Sequence, residues 1–136
     1  MKLSPFTIRL AMFGLAILAL AFLGGGVSNA APQYKQTGWA SFYASHGKTA
    51  SGQQLRKESM TAAHRTLPFG THVKITNLVN HKSVIVVIND RGPFIRGRVI
   101  DLATLPARII GLTQFGVVKV AMQVTTEPVG PTYSKI

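Results

Sequence analysis

The stretch "SVIVVINDRGPFIRGRVIDLA", residues 83–103, consists of two apolar segments on either side of a turn rich in glycine and arginine. The first segment is a near-continuous run of β-branched residues, which is typical of a strand covered on both faces. The second, RVIDLA, has the length and composition of another short strand. Between them, Asp90 precedes Gly92 and Pro93, and this composition predicts a turn stabilised by the aspartate. The stretch therefore predicts two strands of a β protein.

Three further short apolar segments outside this stretch are also predicted strands. They are GWASFYA at residues 38–44, THVKITNL at 71–78 and GVVKVAMQV at 116–124. Six or so strands with almost no helix favour closure into a barrel, because closure removes exposed sheet edges. The sequence therefore predicts an all-β protein, a small six-stranded barrel with one or two short helical turns.

The connections between these strands carry recognisable turn and helix signals. VNHK predicts a tight turn in which Asn80 or His81 adopts a positive φ. LPARIIGL has Pro106 near its start and Gly111 at its end, which predicts the one or two helical turns. Phe-Gly precedes a strand at both residues 69–70 and 115–116, a weak internal similarity that suits a barrel of two pseudo-symmetric halves.

The amino terminus has the pattern of a secretory signal peptide. Lys2 and Arg9 are basic, residues 10–23 are apolar and uncharged, and small residues follow at Ser28 and Ala30. We expect cleavage after Ala30, with an uncleaved membrane anchor as the alternative. The predicted organisation is a signal peptide at 1–30, a linker at 31–37, a barrel at 38–125 and a polar tail at 126–136.

Composition restricts the partners of the exported chain. There is no cysteine, so no disulfide and no lipid-modified amino terminus is expected. Fifteen basic residues against four acidic ones give a formal net charge of +11 over the 136 residues. A basic surface attracts nucleic acid, anionic lipid or an acidic polymer. Export and the lack of an aromatic-basic motif argue against nucleic acid, whereas cell-wall glycan carries carboxylates in the same compartment.

Six motifs together resemble the rare lipoprotein A family of bacterial cell-envelope proteins. They are GWASFY, TASG, MTAAHRTLPFGT, VKITNL, VIVVINDRGPF and RGRVIDLA, between residues 38 and 103. The resemblance implies a double-psi β-barrel and endolytic peptidoglycan transglycosylase activity. In that reaction the muramyl 6-hydroxyl attacks its own anomeric carbon and leaves a 1,6-anhydro ring. One side chain serves twice, protonating the leaving oxygen and then accepting the proton of the attacking hydroxyl.

The loop TASGQQLR departs from the pattern of active members of that family. There the loop carries a Glu, an Asp three residues later and a His eleven residues after the Glu. The corresponding residues here are Gln53, Arg56 and His64. Gln53 keeps the hydrogen-bonding reach of Glu without a transferable proton, and Arg56 reverses the charge. We expect both to contact substrate, and His64 to contact substrate or orient a carboxylate.

Asp101, in VIDLA, is the first candidate for the missing acid, because related double-psi barrels have a functional Asp at a similar strand end. Its structural alternative is a carboxylate that accepts hydrogen bonds from the backbone or Arg91 and braces the barrel. Asp90 is the second candidate, with stabilisation of its turn as the alternative. Arg91 and Arg98 flank glycine-rich turns and are candidate clamps for a substrate carboxylate.

Two aromatic residues complete the predicted site. Trp39 and Tyr43 are candidates to stack on sugar rings, with a place in the core as the alternative. No two histidines have ligand-like spacing, so we expect neither a metal ion nor a cofactor.

The rival to the enzyme is an inactive or expansin-like module that binds peptidoglycan without cleaving it. In either case we expect a periplasmic or cell-envelope monomer that binds peptidoglycan glycan strands. We expect no stable membrane insertion after the signal is cleaved.

Overall fold

A computed structural model describes residues 34–43 and 47–132, which lie in one compact unit of the chain. Seven strands and two short helical segments make up this part. The strands are β1 (Lys35–Phe42), β2 (Thr61–Ala63), β3 (His72–Asn77), β4 (Ser83–Asp90), β5 (Arg98–Leu102), β6 (Val118–Val124) and β7 (Gly130–Thr132). The helical segments are α1 (Thr104–Ile109) and a 3₁₀ turn (Leu112–Gln114).

Six of the strands close into a barrel. The order of neighbours is β2-β5-β1-β6-β3-β4, and a further pairing of β2 with β4 completes the circle. The β1–β5 and β2–β4 pairs are parallel, and the other pairs are antiparallel. β7 adds to the first half of β4, outside the circle. The expected all-β, six-stranded barrel with very little helix is confirmed.

The interior of the barrel is filled by the β-branched run of β4 and its counterparts on the other strands. Val84, Ile85, Val86 and Ile88 are all at most 3% exposed. This burial on successive residues fits the expectation of a strand covered on both sides, and α1 is one of the elements that contact β4. The remaining fully buried large hydrophobic side chains come from β3, β5, β6 and the helical region: Val73, Ile75, Ile100, Leu102, Ile110, Leu112, Val120 and Met122.

The backbone at the predicted turn and at the end of the predicted helix has the expected conformation. His81, of the two candidates, adopts the positive φ, at 61°. Gly111 follows α1 with a φ of 75°, in the left-handed region that glycine tolerates. The fully buried Asn77 ties the two regions together, because its Nδ2 donates to the Ile110 carbonyl at 2.8 Å and its Oδ1 accepts from the Val79 N–H at 2.9 Å.

The Phe-Gly similarity corresponds to equivalent positions in the barrel. Gly70 and Gly116 both have positive φ, at 89° and 75°, and each stands shortly before a strand. Those strands, β3 and β6, are antiparallel neighbours. The sequence similarity therefore corresponds to two similar turns, each of which leads into a strand.

Two expected boundaries differ from the structure. β1 begins at Lys35, inside the segment predicted as a linker, because residues 35–38 pair with Val120–Gln123 of β6. β7 lies inside the predicted polar tail, where Gly130 and its neighbours pair with the start of β4. The predicted signal peptide, and with it the choice between cleavage and anchoring, lies outside the described residues. Within the described ranges, no helix is long and apolar enough to span a membrane.

Candidate functional site

One row of residues crosses four strands of the barrel and brings the two candidate aspartates together. Ser41 of β1 pairs with Asp101 of β5, Asp101 pairs with Ala63 of β2, and Ala63 pairs with Asp90 of β4. The two aspartates are therefore two strand spacings apart, about 10 Å along the row. The register of the sheet, rather than proximity in the chain, creates this site.

The Asp101 carboxylate is held by two side chains. The Ser41 hydroxyl and Arg98 Nη2 both donate to Oδ1, and Arg98 also donates to Ser41. The side chains of Asp101 and Arg98 are 18% and 21% exposed, so the ion pair is partly shielded from solvent. The expected structural partner was the backbone or Arg91. The structure instead places Arg98 on the carboxylate. The β1–β5 register shifts between Trp39 and Ala40, so Arg98 and Asp101, opposite Trp39 and Ser41, lie on one face.

Tyr43 lies close enough to both aspartates to respond to their charges. Burial raises the pKa of its phenol, and the negative charges of Asp90 and Asp101 raise the pKa further, while the neighbouring Thr61 hydroxyl opposes the shift. The hydroxyl oxygen is buried, and the Thr61 side chain beside it is not in hydrogen-bonding geometry. Tyr43 therefore keeps its proton at neutral pH, as a neutral donor beside the aspartate row.

The TASGQQ loop is fastened to the end of β4. The Thr49 N–H donates to the Gln53 carbonyl at 2.8 Å, and the Gly52 N–H donates back to the Thr49 carbonyl at 2.9 Å. Asp90 Oδ1 accepts the Ala50 N–H at 2.8 Å and the Arg91 N–H at the same distance. Asp90 thus stabilises its own turn, as its structural alternative predicted, and in addition anchors the loop.

Gln53 is directed toward the same end of β4. Its Oε1 accepts a hydrogen bond from Asn89 Nδ2 at 3.0 Å, and Asn89 is only 6% exposed. The Asn89 Oδ1 is buried without a partner among the described residues. Arg56, three residues further on, is exposed and forms no side-chain ion pair in the described part of the chain. The structure therefore brings Gln53, but not Arg56, onto the barrel.

His64 is buried and occupied at both ring nitrogens. Nδ1 accepts the backbone N–H groups of Thr66 and Leu67 at 3.1 and 3.0 Å, so the proton lies on Nε2, which donates to Gln36 Oε1 at 3.3 Å. Burial lowers the pKa of His64, and the charges of Arg91 and Arg65 lower it further. The neutral imidazole therefore organises the turn that follows β2, and its role toward substrate stays a prediction.

Arg91 is directed toward the protein itself. Its Nη1 donates to the carbonyls of His64 and Leu67 at 3.3 and 2.8 Å, and its guanidinium lies 4.0 Å from the centre of the Phe69 ring. These contacts brace the same turn that His64 organises. They support a structural role, and the substrate-clamping role of Arg91 stays a prediction.

Trp39 lies on the barrel surface near the aspartate row. It is 47% exposed, so the alternative of a core position does not describe it. Its neighbours across the sheet are Arg98 on one side and Lys119 on the other. The ring is therefore available to a ligand, which is the geometry that stacking on a sugar requires.

Sequence reasoning missed three residues that shape the site: Ser41, Asn89 and Gln36. The alternation of GWASFYA placed Ser41 on the same face as Trp39, which was a usable signal. Gln36 lay in the segment predicted as a linker, so its contact with His64 had no signal. No cluster of three or more histidines, cysteines or acidic residues that could hold a metal occurs within the described residues.

Comparison with known proteins bears on the family and the fold of the chain. A family model described as lytic transglycolase matches residues 35–122. A Nostoc sp. (strain PCC 7120) protein named as a probable endolytic peptidoglycan transglycosylase RlpA is 58% identical over 76 residues, 56% of this chain and 20% of its own length. The endolytic peptidoglycan transglycosylase RlpA of Pasteurella multocida is 52% identical over 93 residues, 66% of this chain and 32% of its own length.

The chain thus spans only a fifth to a third of the length of these two relatives. Among solved structures, the Streptomyces papain inhibitor SPI superposes with a TM-score of 0.57 at 22% identity, covering 68% of this chain and 94% of the inhibitor. At that identity the likeness concerns the fold alone, and it supports the double-psi β-barrel.

Proposed function

Because the chain belongs to the lytic transglycosylase family of double-psi β-barrels, we propose that it is an endolytic peptidoglycan transglycosylase. Its substrate is the bond between N-acetylmuramic acid and N-acetylglucosamine, and its product carries a 1,6-anhydro end. The names of its relatives support the reaction class. Since residue 53 is Gln and residue 56 is Arg, the proton-transfer group must lie elsewhere, and we assign it to Asp101.

The single observation that carries this assignment is the asymmetry of the Asp101 carboxylate. Oδ1 accepts both hydrogen bonds, from Ser41 and Arg98, whereas Oδ2 has no partner among the described residues. One oxygen is thus fixed and the other is left to exchange a proton with a ligand. The side chain remains 18% exposed, so a substrate hydroxyl can reach it.

The proposed reaction uses one carboxylate oxygen for two proton transfers. Asp101 Oδ2 takes the proton of the muramyl 6-hydroxyl as the C1–O6 bond forms, after it has protonated the glycosidic oxygen, whose bond to C1 breaks. The electron pair leaves with that oxygen, which receives the proton from Oδ2. No water and no further acid is consumed, so the cycle needs only one carboxylate.

The other residues of the row have supporting roles in this proposal. Tyr43, held neutral by its raised pKa, packs beside the two aspartates without adding a charge to the row. Gln53 contacts a substrate hydroxyl or amide through its side-chain amide, and the exposed Arg56 attracts a lactyl or peptide carboxylate. Asp90 holds the loop that carries Gln53 and is the second candidate for proton transfer.

The test is Asp101→Asn, which keeps the shape of the side chain and removes its basic oxygen. We expect the formation of anhydromuramyl ends on purified glycan strands to fall by at least about a hundredfold, as is typical when a general acid–base group is removed. Glu127→Gln, a change at an exposed carboxylate away from the row, is the control and should keep full activity.

A cooperative thermal transition must be shown for both variants. If Asp101→Asn cleaves as fast as the unchanged protein, another group transfers the proton. If the substitution instead unfolds the barrel, Asp101 is structural, and its assignment to catalysis is wrong.

We also propose the finer points of location and assembly. Residues 1–30 direct export and are removed, and the barrel acts as a monomer on glycan strands in the periplasm or cell envelope without a lipid anchor. The basic leader with its apolar run and small residues supports export. Mass spectrometry of the protein recovered from an envelope fraction tests cleavage, because a retained leader would contradict it.

A further inference from the structure

The outer face of β1, β6 and β3 carries an ordered set of polar side chains away from the aspartate row. Lys35, Gln123 and Lys74 are paired across the three strands in one row. Thr37, Ala121 and Thr76 form the next row toward the aspartates. Directly paired residues on one face of a sheet lie side by side, so each row is a contiguous surface.

These rows enclose a shallow groove of about 430 Å³. The small Ala121 lies in the middle of its floor between two threonines, while the two lysines stand on opposite sides of one end. Thr76 Oγ1 is hydrogen-bonded to Ser83 Oγ at 2.8 Å, which fixes that wall. A floor of small and hydroxyl-bearing residues admits a ligand close to the backbone, and the lysines give the groove a positive end.

The positive charge of the groove is not neutralised within the described part of the chain. The ion pairs of residues 34–43 and 47–132 are Arg98–Asp101 and Arg108–Glu58, so neither lysine of the groove has an acidic partner there. Only four acidic residues exist in the sequence. Lys35 and Lys74 are therefore available to an anionic ligand.

β1 connects this groove to the aspartate row. Alternate residues of a strand share one face, and Lys35, Thr37, Trp39 and Ser41 follow this spacing. The path from the Ser41–Asp101 pair to Lys35 is about 20 Å, with Trp39 about 7 Å from its start. The exposed indole thus stands between the proposed site of cleavage and the positive end of the groove.

We infer that the outer face of β1, from Trp39 to the groove between Lys35 and Lys74, binds the same glycan strand at a distance from the bond that is cleaved. The ligand is a carboxylated muramyl glycan: a sugar ring stacks on Trp39, and the lactyl carboxylate of a more distant residue pairs with the two lysines. This inference rests on the proposed function, whose polymeric substrate it extends along one strand of the barrel.

The chemistry of the face distinguishes this ligand from other polyanions. A lipid surface needs an apolar face to enter, but the residues around Ala121, apart from the buried Met122, carry hydroxyls, amides and ammonium groups. Nucleic acid without base contacts needs several aligned cations or more than one stacking ring, whereas this path offers a single indole. A narrow groove with one indole of the size of a sugar ring and one pair of lysines that can bind an anion fits a glycan with intermittent carboxylates.

The test compares the purified protein with Lys35→Gln/Lys74→Gln in binding to amidase-released glycan strands, measured by fluorescence anisotropy of end-labelled strands. The control, Lys82→Gln/Arg108→Gln, removes the same charge from exposed positions outside β1, β3 and β6. The second probe is the same strands after carbodiimide coupling to methylamine, which removes the carboxylate charge. Anionic phospholipid vesicles are the third probe.

We expect Lys35→Gln/Lys74→Gln to bind native strands about 25-fold more weakly, since each of the two lysines contributes about a factor of five near an anionic ligand. The control variant should bind native strands with nearly the affinity of the unchanged protein. Amidated strands should bind Lys35→Gln/Lys74→Gln and the unchanged protein with equal affinity. Trp39→Ala should weaken binding to native and amidated strands equally, because stacking does not depend on the carboxylate.

An equal loss in the control variant would overturn the inference, and so would an affinity that amidation leaves unchanged. Loss of vesicle binding in Lys35→Gln/Lys74→Gln without an effect of amidation would assign the face to lipid instead. Cleavage is assayed separately. Absence of anhydromuramyl ends with lysine-dependent binding contradicts the proposed function alone, whereas cleavage with lysine-independent binding contradicts this inference alone.

Discussion

At the scale of single residues, hydrogen bonds in the site hold one polar atom of a side chain and leave its second polar atom without a partner. Asp101 has one oxygen held by Ser41 and Arg98, and Gln53 has its Oε1 held by Asn89. His64 is the opposite case, because both of its ring nitrogens are engaged within the protein. The difference separates residues that are able to meet a substrate from one that organises the chain.

His64 predicts a pH dependence of stability. Its pKa is lowered on folding by burial and by Arg91 and Arg65, so the unfolded chain binds the proton more readily. The stabilisation is then fully present above the ordinary histidine value of about 6.5 and is lost as the pH falls from there through the lowered pKa. Urea unfolding measured between pH 8 and pH 5 should show this decrease.

The variant His64→Asn keeps an acceptor for the N–H groups of Thr66 and Leu67 and does not titrate, so its stability should change less over the same range. His64→Ala leaves both donors without that acceptor and should cost about 1–3 kcal/mol at neutral pH. Equal pH slopes in the unchanged protein and in His64→Asn would contradict the assignment.

The sequence was informative about residues whose local pattern has one physical meaning. Gly111 after a helical run and His81 in a tight turn follow from local conformational preferences, and both have the expected positive φ. The partner of Asp101 was not predictable in the same way. Arg91 and Arg98 are both arginines near glycine-rich turns, and the register shift between β1 and β5 that places Arg98 on the face of Asp101 has no signal in the sequence.

At the scale of elements, the parallel contact of β1 with β5 depends on a close approach. A Cβ added to Gly38 would clash with the side chain of Val99. We therefore expect Gly38→Ala to reduce the free energy of unfolding by about 1–3 kcal/mol, as overpacking typically does. Thermal or urea unfolding measures the loss.

The double substitution Gly38→Ala/Val99→Ala removes the branched side chain that the new methyl group meets. The double variant should lose less free energy of unfolding than the two single variants lose together, because the clash is then absent. Simple additivity of the two substitutions would show that the contact between these strands is looser than the structure indicates.

The loop from Thr49 to Arg56 is a second element with a testable role. Gln53→Glu/Arg56→Asp places carboxylates at both positions, and Asn89 Nδ2, which now donates to the Gln53 side chain, remains available to the carboxylate that replaces it. We expect faster formation of anhydromuramyl ends, by about tenfold or more, since a second proton-transfer group joins Asp101. The matched variant Gln54→Glu/Lys57→Asp alters neighbouring exposed positions and should leave the rate unchanged. A rate no higher than that of the unchanged protein would mean that the loop does not face the scissile bond.

At the scale of the whole molecule, alternation and β-branched runs predicted a closed barrel, and the structure confirms it. The edges of the domain were not predictable, because strand pairing recruits residues 35–38 and Gly130–Thr132, whose own composition resembles a linker and a tail. The aspartate row had no local signal either, since it depends on which strands become neighbours. What joins these features is one strand, β1, which carries Ser41 at the row and Lys35 at the distant groove.

The most direct test of the central claim is mass spectrometry of purified glycan strands after incubation with the protein. The account predicts internal cleavage that yields fragments with 1,6-anhydromuramyl ends, formed by a chain with Gln at residue 53 and Arg at residue 56. Intact strands that still bind the protein would contradict it, and would identify a barrel that binds peptidoglycan without cleaving it.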